Sequence, residues 1–395
     1  MAIINLNGIW MAGENRNYGS ETVVPGLASN PAQMNEGPLW YKKTVKLPQY
    51  PFKNASLLLK GARFCPKVYI NGDMVSRSEG GMSLTCHALN HPSIKPGGEI
   101  TIEIELASLK NVSMDDASRI PEADWWRSNV SSCLWDDVLL ALYGEVRLSR
   151  GIPFTDYSNK RLNIRWEVEK PDSVCEFEIK GALIDEQGSI VSQNSKMVTA
   201  ISGEIALDLS SCAEWSCQSP TLYTLRIAAE YEGMADEYTS PYGFRDFRIE
   251  GRGFKLNGKP VTLRETSVVW HRWTRDPEAA EIAFDTGWFA TNIVDRLKGH
   301  GGNTVRFHLG PPPERFLDVC DKAGMMVQLE WLFFHGLKAS RESLVKQWSE
   351  FFQSALRHPS VVLIHPWNET EGEELEKAFS AIEEICRELL SLIHI

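Results

Sequence analysis

At 395 residues the chain has room for about two or three domains, and its balance of 43% hydrophobic and 24% charged residues is that of an ordinary globular protein. The net charge of −11, with no run of Lys or Arg, argues against a nucleic-acid or anionic-membrane partner, and no apolar stretch is long enough to span a bilayer as a helix. The start, Met1-Ala2-Ile3-Ile4-Asn5, has neither a basic nor an apolar leader region, so no signal peptide and a cytoplasmic location are expected, or a periplasmic or secreted one if the true start lies upstream. Cys65, Cys86, Cys133, Cys175, Cys212, Cys217, Cys320 and Cys386 show no zinc-site spacing, so mostly buried free thiols are expected and no metal or cofactor is implied.

Residues 1–150 read as all-β. Residues 56–59 and 67–70 are short strands, and Asn71-Gly72 is a two-residue hairpin signal leading into Asp73-Met74-Val75. Residues 100–106 alternate apolar and polar after the turn Lys95-Pro96-Gly97-Gly98, giving one buried and one wetted face. Residues 151–243 form a second β unit, in which Leu162, Ile164, Trp166 and Val168 alternate, as do Cys175, Phe177 and Ile179. Its size is that of an immunoglobulin-like sandwich.

After Gly243-Phe244-Arg245 the period changes. Strands predicted at 261–269, 304–309, 325–331 and 361–367 alternate with helical stretches at 288–298, 313–323 and 341–356. A last helix is predicted over 373–389, with Leu375, Phe379, Ile382, Cys386 and Leu389 on one side. Repeated strand–helix units imply a parallel sheet. A (β/α)8 barrel takes eight units and about 250 residues, so residues 244–389 predict the first half of one. Residues 390–395 break the polar pattern of the last helix and read as the translation of a transposon sequencing adapter, which sets them aside from the fold.

The fourth predicted strand ends on Trp367-Asn368-Glu369. Residues just past a barrel strand line the active-site face, so a carboxylate there is a candidate general acid. Glu369 equally suits a solvated residue opening an acidic helix, since Glu371, Glu373 and Glu374 follow, and Asn368 suits an N-cap. Trp270, Trp273, Trp331 and Trp367 fall at strand ends, where the flat face of a ligand can stack, although such rings more often pack in a core or at its rim.

Several short motifs, taken in order, resemble glycoside hydrolase family 2, the β-galactosidase, β-glucuronidase and β-mannosidase family. They are Leu6-Asn7-Gly8-Ile9-Trp10, Leu39-Trp40-Tyr41-Lys42-Lys43, Val68-Tyr69-Ile70-Asn71-Gly72 and Leu134-Trp135-Asp136-Asp137-Val138 in the first unit. Trp215 to Tyr223 and Tyr242-Gly243-Phe244-Arg245 follow in the second, then Asn303-Thr304-Val305-Arg306, Cys320-Asp321-Lys322-Ala323-Gly324 and His358-Pro359-Ser360 to Asn368-Glu369. The resemblance implies a jelly-roll-like β-sandwich of sugar-binding type over 1–150, an immunoglobulin-like β-sandwich over 151–243 and the first half of a (β/α)8 TIM barrel over 244–389.

It also implies a retaining exo-β-glycosidase acting on carbohydrate, of which this chain is an N-terminal fragment. Glu369 would be the general acid/base, and Asn368 would bond the sugar 2-hydroxyl. Arg306 would orient the nucleophile, itself absent from this chain, and His308 would contact substrate. Glu330, Trp331, Trp367, His335 and His271 are further candidates for lining the cleft. The family's magnesium-binding Glu-x-His-Gly run reads Phe333-Phe334-His335-Gly336 here, so no metal is carried over. The alternative is a carbohydrate-binding protein whose sandwiches work without catalysis. Two further expectations concern folding: that the two sandwiches fold independently, and that Val305, Phe307, Val327 and Leu363 meet water on the open side of the half-barrel.

Overall fold

A computed structural model describes residues 2–28, 35–111, 131–334, 340–369 and 371–389. The set-aside residues 390–395 lie outside them. In the first unit a four-stranded sheet (Ala2–Asn5, Val138–Tyr143, Asn54–Leu59, Thr85–Ala88) lies against a six-stranded one. The second sheet runs Ser20–Val24, Gly8–Glu14, Leu39–Lys46, Glu99–Leu106, Lys67–Ile70, Asp73–Arg77. Trp10, Tyr41, Leu57, Val68, Ile102 and Leu140 fill the space between them. Asn71 and Gly72, at φ 51° and 95°, make the tight turn that pairs Ile70 with Asp73.

The second unit pairs Arg147–Asp156, Arg161–Glu169 and Ser202–Asp208 in one sheet. The other contains Ile190–Val198, Phe177–Ile184, Tyr223–Tyr231 and Met234–Tyr242. Leu162, Ile164, Trp166 and Val168 point into its core as their alternation requires, and Trp166 meets Phe177 edge-on at 6.1 Å. Cys175 stands outside the alternation and is exposed. All eight cysteines are free, but only Cys133 and Cys320 are buried, so the expectation of mostly buried thiols does not hold.

The parallel sheet begins later than its apolar run suggests. Lys259–Val261 is claimed by a small antiparallel sheet with Phe247–Glu250 and Gly253–Leu256, through the tight turn Asn257-Gly258. Four parallel strands then follow in chain order, Glu265–Val268, Thr304–Phe307, Met326–Phe334 and Val361–Asn368. The helices between them include Glu314–Ala323, which ends on Gly324 in the left-handed region, and Arg341–Ala355, capped by Ser340. The segment 286–299 is helical throughout, with a π-helical centre at Ala290–Asp295.

Two expectations about faces are corrected. Val305, Phe307 and Val327 are fully buried under the helices, and Leu363 is half-buried. With a period of two, the alternate residues Arg306, His308, Gln328 and Glu330 take the open side, which is therefore polar. In the last helix, Glu373–Leu389, the buried residues are Ala378, Ala381 and Ile385, while Phe379 is 53% exposed with its edge toward Trp367. The small side chains of Ala378 and Ala381, on one face with Ile385 a turn further on, let this helix approach closely, and the larger residues splay around that seam.

Each sandwich has its own core, and both also pack against the parallel sheet. Phe64, Met82 and Trp135 from the first unit, and Ile152 and Phe154 from the second, belong to the same apolar cluster as Phe307, Phe316 and Trp348. Polar contacts converge at the same place. Lys60 Nζ lies 2.7 Å from Glu314 Oε2, and Asp136 Oδ2 accepts from Glu314 N at 2.8 Å. Trp215 Nε1 donates to Asp321 O at 2.9 Å, and Arg245 donates to the carbonyls of Pro359 and Val361 at 2.7 Å. A Cβ at Gly243 would stand 2.7 Å from that of Pro359, so only glycine allows this approach. His358, fully buried, donates through Nδ1 to Asp321 Oδ2 at 2.7 Å and places Nε2 3.4 Å from Glu314 Oε1.

Burial alone would lower the pKa of His358, but Asp321 and Glu314 overcome it and raise it from 6.5 to about 10. A raised cation pKa gives stability that is complete below the unfolded value and is lost as pH rises through the folded one. The denaturant midpoint is therefore expected to fall between pH 6.5 and about 10, and His358→Gln to flatten that fall. Urea titrations across the window check this, and an unchanged slope in the variant would refute the assignment.

Candidate active site

The carboxyl ends of the four parallel strands carry one polar cluster centred on Glu330, whose side chain is completely buried. From the neighbouring strand the Arg306 guanidinium binds Oε1 through Nε and Nη2, and His308 Nδ1 donates to Oε2 at 2.6 Å. From the fourth strand His365 Nδ1 lies 2.9 Å from Oε1. The backbone then turns at Leu309 (φ 54°), whose N–H donates to Oε2 at 2.9 Å. A carboxylate only accepts, so both imidazoles present Nδ1–H to it. Burial raises the Glu330 pKa, but the bonds from His308, His365 and the Leu309 amide outweigh it and hold the group well below the usual carboxylate range.

The loop after His308 is pinned from the other side. Gly310 has φ 130°, and a Cβ there would come within 2.7 Å of both His271 and Leu332. His271 is buried, with Nε2 2.9 Å from Pro311 O and Nδ1 3.4 Å from Arg63 Nη1 of the first sandwich. Arginine only donates, so this ring is the Nε2–H tautomer and braces the loop.

The sequence candidates therefore fall into groups. Arg306, His308 and Glu330 are brought together. Asn368 ends the fourth strand in register with Phe334, and Glu369 follows it, exposed and at φ 51°. His271 is enclosed beneath the neighbouring loop. Trp331 is fully buried with its ring 4.9 Å from Phe351, and Trp367 lies 5.9 Å from Trp348 and 5.3 Å from Phe379, so both rings pack into the helical layer. His335 lies outside the described residues. Sequence reading missed His365 and Gln328. The alternation of Gln328 and Glu330 with apolar neighbours was the available signal for one, and a lone polar residue inside the apolar run 361–367 for the other. Glu265, on the first strand, feels the same cluster: burial raises its pKa against the pull of Arg306.

Among the described residues Asp318, Asp321 and His358 bring three ligand-type atoms within 4.8 Å. Two of these groups, His358 and Asp321, are bonded to each other at 2.7 Å.

Residues 153–245 match the family model for glycosyl hydrolases family 2. Through this segment the chain is similar to that family. It is 24% identical over 366 residues to the β-galactosidase BgaC of Bifidobacterium adolescentis, covering 82% of this chain and 33% of that protein. The fold is that of a family 2 member from Bacteroides cellulosilyticus (TM-score 0.75, 16% identity), covering 100% of this chain and 56% of that one. A structure of Bacteroides uniformis β-glucuronidase 2, covalently bound to cyclophellitol-6-carboxylate aziridine, aligns with TM-score 0.76 at 18% identity, over 99% of this chain and 51% of that one. The chain spans about a third of the length of the curated relatives it matches.

Removing one partner from a buried charge cluster leaves the others uncompensated, at a cost of roughly 3–5 kcal/mol. Glu330→Gln is expected to destabilise the protein by that order, in a denaturant titration at neutral pH. A loss below about 1 kcal/mol, the range of exposed pairs, would mean that the cluster is not closed to water.

Proposed function

We propose that this chain is the N-terminal part of a retaining exo-β-glycosidase, dividing at residues 150 and 243, with residues 244–389 as the first half of a (β/α)8 barrel. Glu369 is its general acid/base. The observation that carries this reading is the position of Glu369, exposed directly after the fourth parallel strand, in a backbone conformation that side chains rarely adopt. The match to glycosyl hydrolases family 2 and the likeness to β-galactosidases support O-glycosidic bonds of β-linked sugars as the substrate class.

The retaining reaction needs two carboxyls roughly 5–5.5 Å apart. Glu369 protonates the leaving oxygen, then takes a proton from the water that releases the sugar. Asn368 holds the 2-hydroxyl, a contact that strengthens as the ring flattens. Glu330 does not serve as the nucleophile. Both its oxygens are taken by Arg306, His308, His365 and the Leu309 amide, so neither is presented to a substrate. Its part is to fix Arg306 and His308 at the floor of the cleft. The nucleophile comes from the remainder of the enzyme.

In the complete enzyme Glu369→Gln is expected to slow hydrolysis of unactivated β-glycosides by roughly 10²–10⁴-fold, the size of general acid help. Substrates with activated phenolate leaving groups should suffer much less, and azide should rescue the variant as a glycosyl azide. Equal losses on both substrates without azide product would sink the assignment. The 395-residue chain by itself is expected to turn over no aryl β-glycoside. Turnover that persists after repurification and is abolished by Glu330→Gln would move the nucleophile to Glu330.

A further inference from the structure

Away from the strand ends, a cleft of about 690 Å³ opens where the first sandwich, the start of the second and the helix Arg341–Ala355 meet. This lies within the size range of small-molecule sites, roughly 300–1,000 Å³, and is far larger than a simple inorganic anion needs. Its charge runs against the rest of the protein. Lys67, Arg77, Lys346 and Arg357 line it against Glu79 and Glu350, in a chain of net charge −11.

The lysines are already neutralised, Lys67 by Glu105 at 2.8 Å and Lys346 by Glu350 at 3.1 Å. The arginines are not: neither Arg77 nor Arg357 forms an ion pair among the described residues. Arg357 is held with its guanidinium 4.3 Å from the centre of the Tyr238 ring, and its Nε, shut off from solvent, has no hydrogen-bond acceptor. A fixed, partly desolvated guanidinium lacking an acceptor is preorganised for a carboxylate or sulfate oxygen.

The rest of the lining fits a hydroxylated ligand. Ser78, Ser149 and Ser354 contribute hydroxyls, the Ser78 Oγ being buried without a partner. We propose that this cleft binds an acidic saccharide, with its anionic group at Arg77 and Arg357 and its hydroxyls against the serines. Since the lining comes from separate units, the ligand also bridges the sandwiches to the parallel sheet.

Isothermal titration calorimetry of the 395-residue protein tests this with a glucuronate-bearing disaccharide, a sulfated disaccharide, a neutral disaccharide and inorganic sulfate. The acidic saccharides are expected to bind, more weakly as salt rises, and at least tenfold more weakly to Arg77→Gln, whose exposed side chain leaves folding intact. A preference between the two acidic probes identifies the anionic group. Equal binding of the neutral disaccharide, equal affinity for sulfate alone, unchanged affinity in Arg77→Gln, or no binding of either acidic probe would each overturn the proposal. Arg357→Lys gives a further reading, since a point charge without the planar fork should restore little.

Discussion

The buried contact between His358 and Asp321 fixes the arrangement on which the other elements depend. The two charges sit at 0% and 1% side-chain exposure, and Glu314 stands on the far side of the imidazolium. A charge so enclosed is tolerated only when its partners are placed well, so the helix Glu314–Ala323 and the start of the fourth strand are held in one relation. Asp321 also receives the Ser360 amide at 2.9 Å, and its own carbonyl takes the indole of Trp215. Through Glu314 the same contact reaches Lys60 and Asp136 of the first sandwich. Burial pushes the Asp136 carboxyl up in spite of Lys60.

Glu330 plays the corresponding part at the opposite ends of the strands. It collects donors from the second and fourth strands and from the loop after the second, so the polar floor is assembled before any ligand arrives. Groups locked in this way pay no reorganisation when charge develops above them. The brace of Arg63, His271 and Pro311 extends this rigidity into the first sandwich, so the sandwich acts as a wall of the site as well as an attachment.

How much of this the sequence disclosed depended on whether the signal was local. The Asn71-Gly72 turn and the helices Glu314–Ala323 and Glu373–Leu389 follow from backbone preferences and apolar spacing that neighbouring residues specify by themselves. Faces were harder to read. An apolar run such as 361–367 does not say which side meets the helices, and the assignment of Val305, Phe307 and Val327 to the open side was wrong for that reason. Arg306 and Glu369 could be singled out as strand-end polar residues, yet nothing in the order of residues announced that Arg306 would be held by Glu330, since that pairing is made only when the strands align. The claim of Lys259–Val261 by an antiparallel sheet, and the exposure of Phe379 beside buried alanines, were likewise decided by tertiary competition.

The division of labour between the two faces of the parallel sheet has a corollary. The apolar burial of Val305, Phe307 and Val327 sits on the helical side, so folding draws on one set of alternate positions while the other set is released from core duty. Substitutions on the polar set change the chemistry presented to a ligand without opening a cavity in the core, provided the Glu330 cluster changes as a unit. Gln328 and Glu265 are two such positions, where a change of charge or size leaves the apolar side of the sheet untouched.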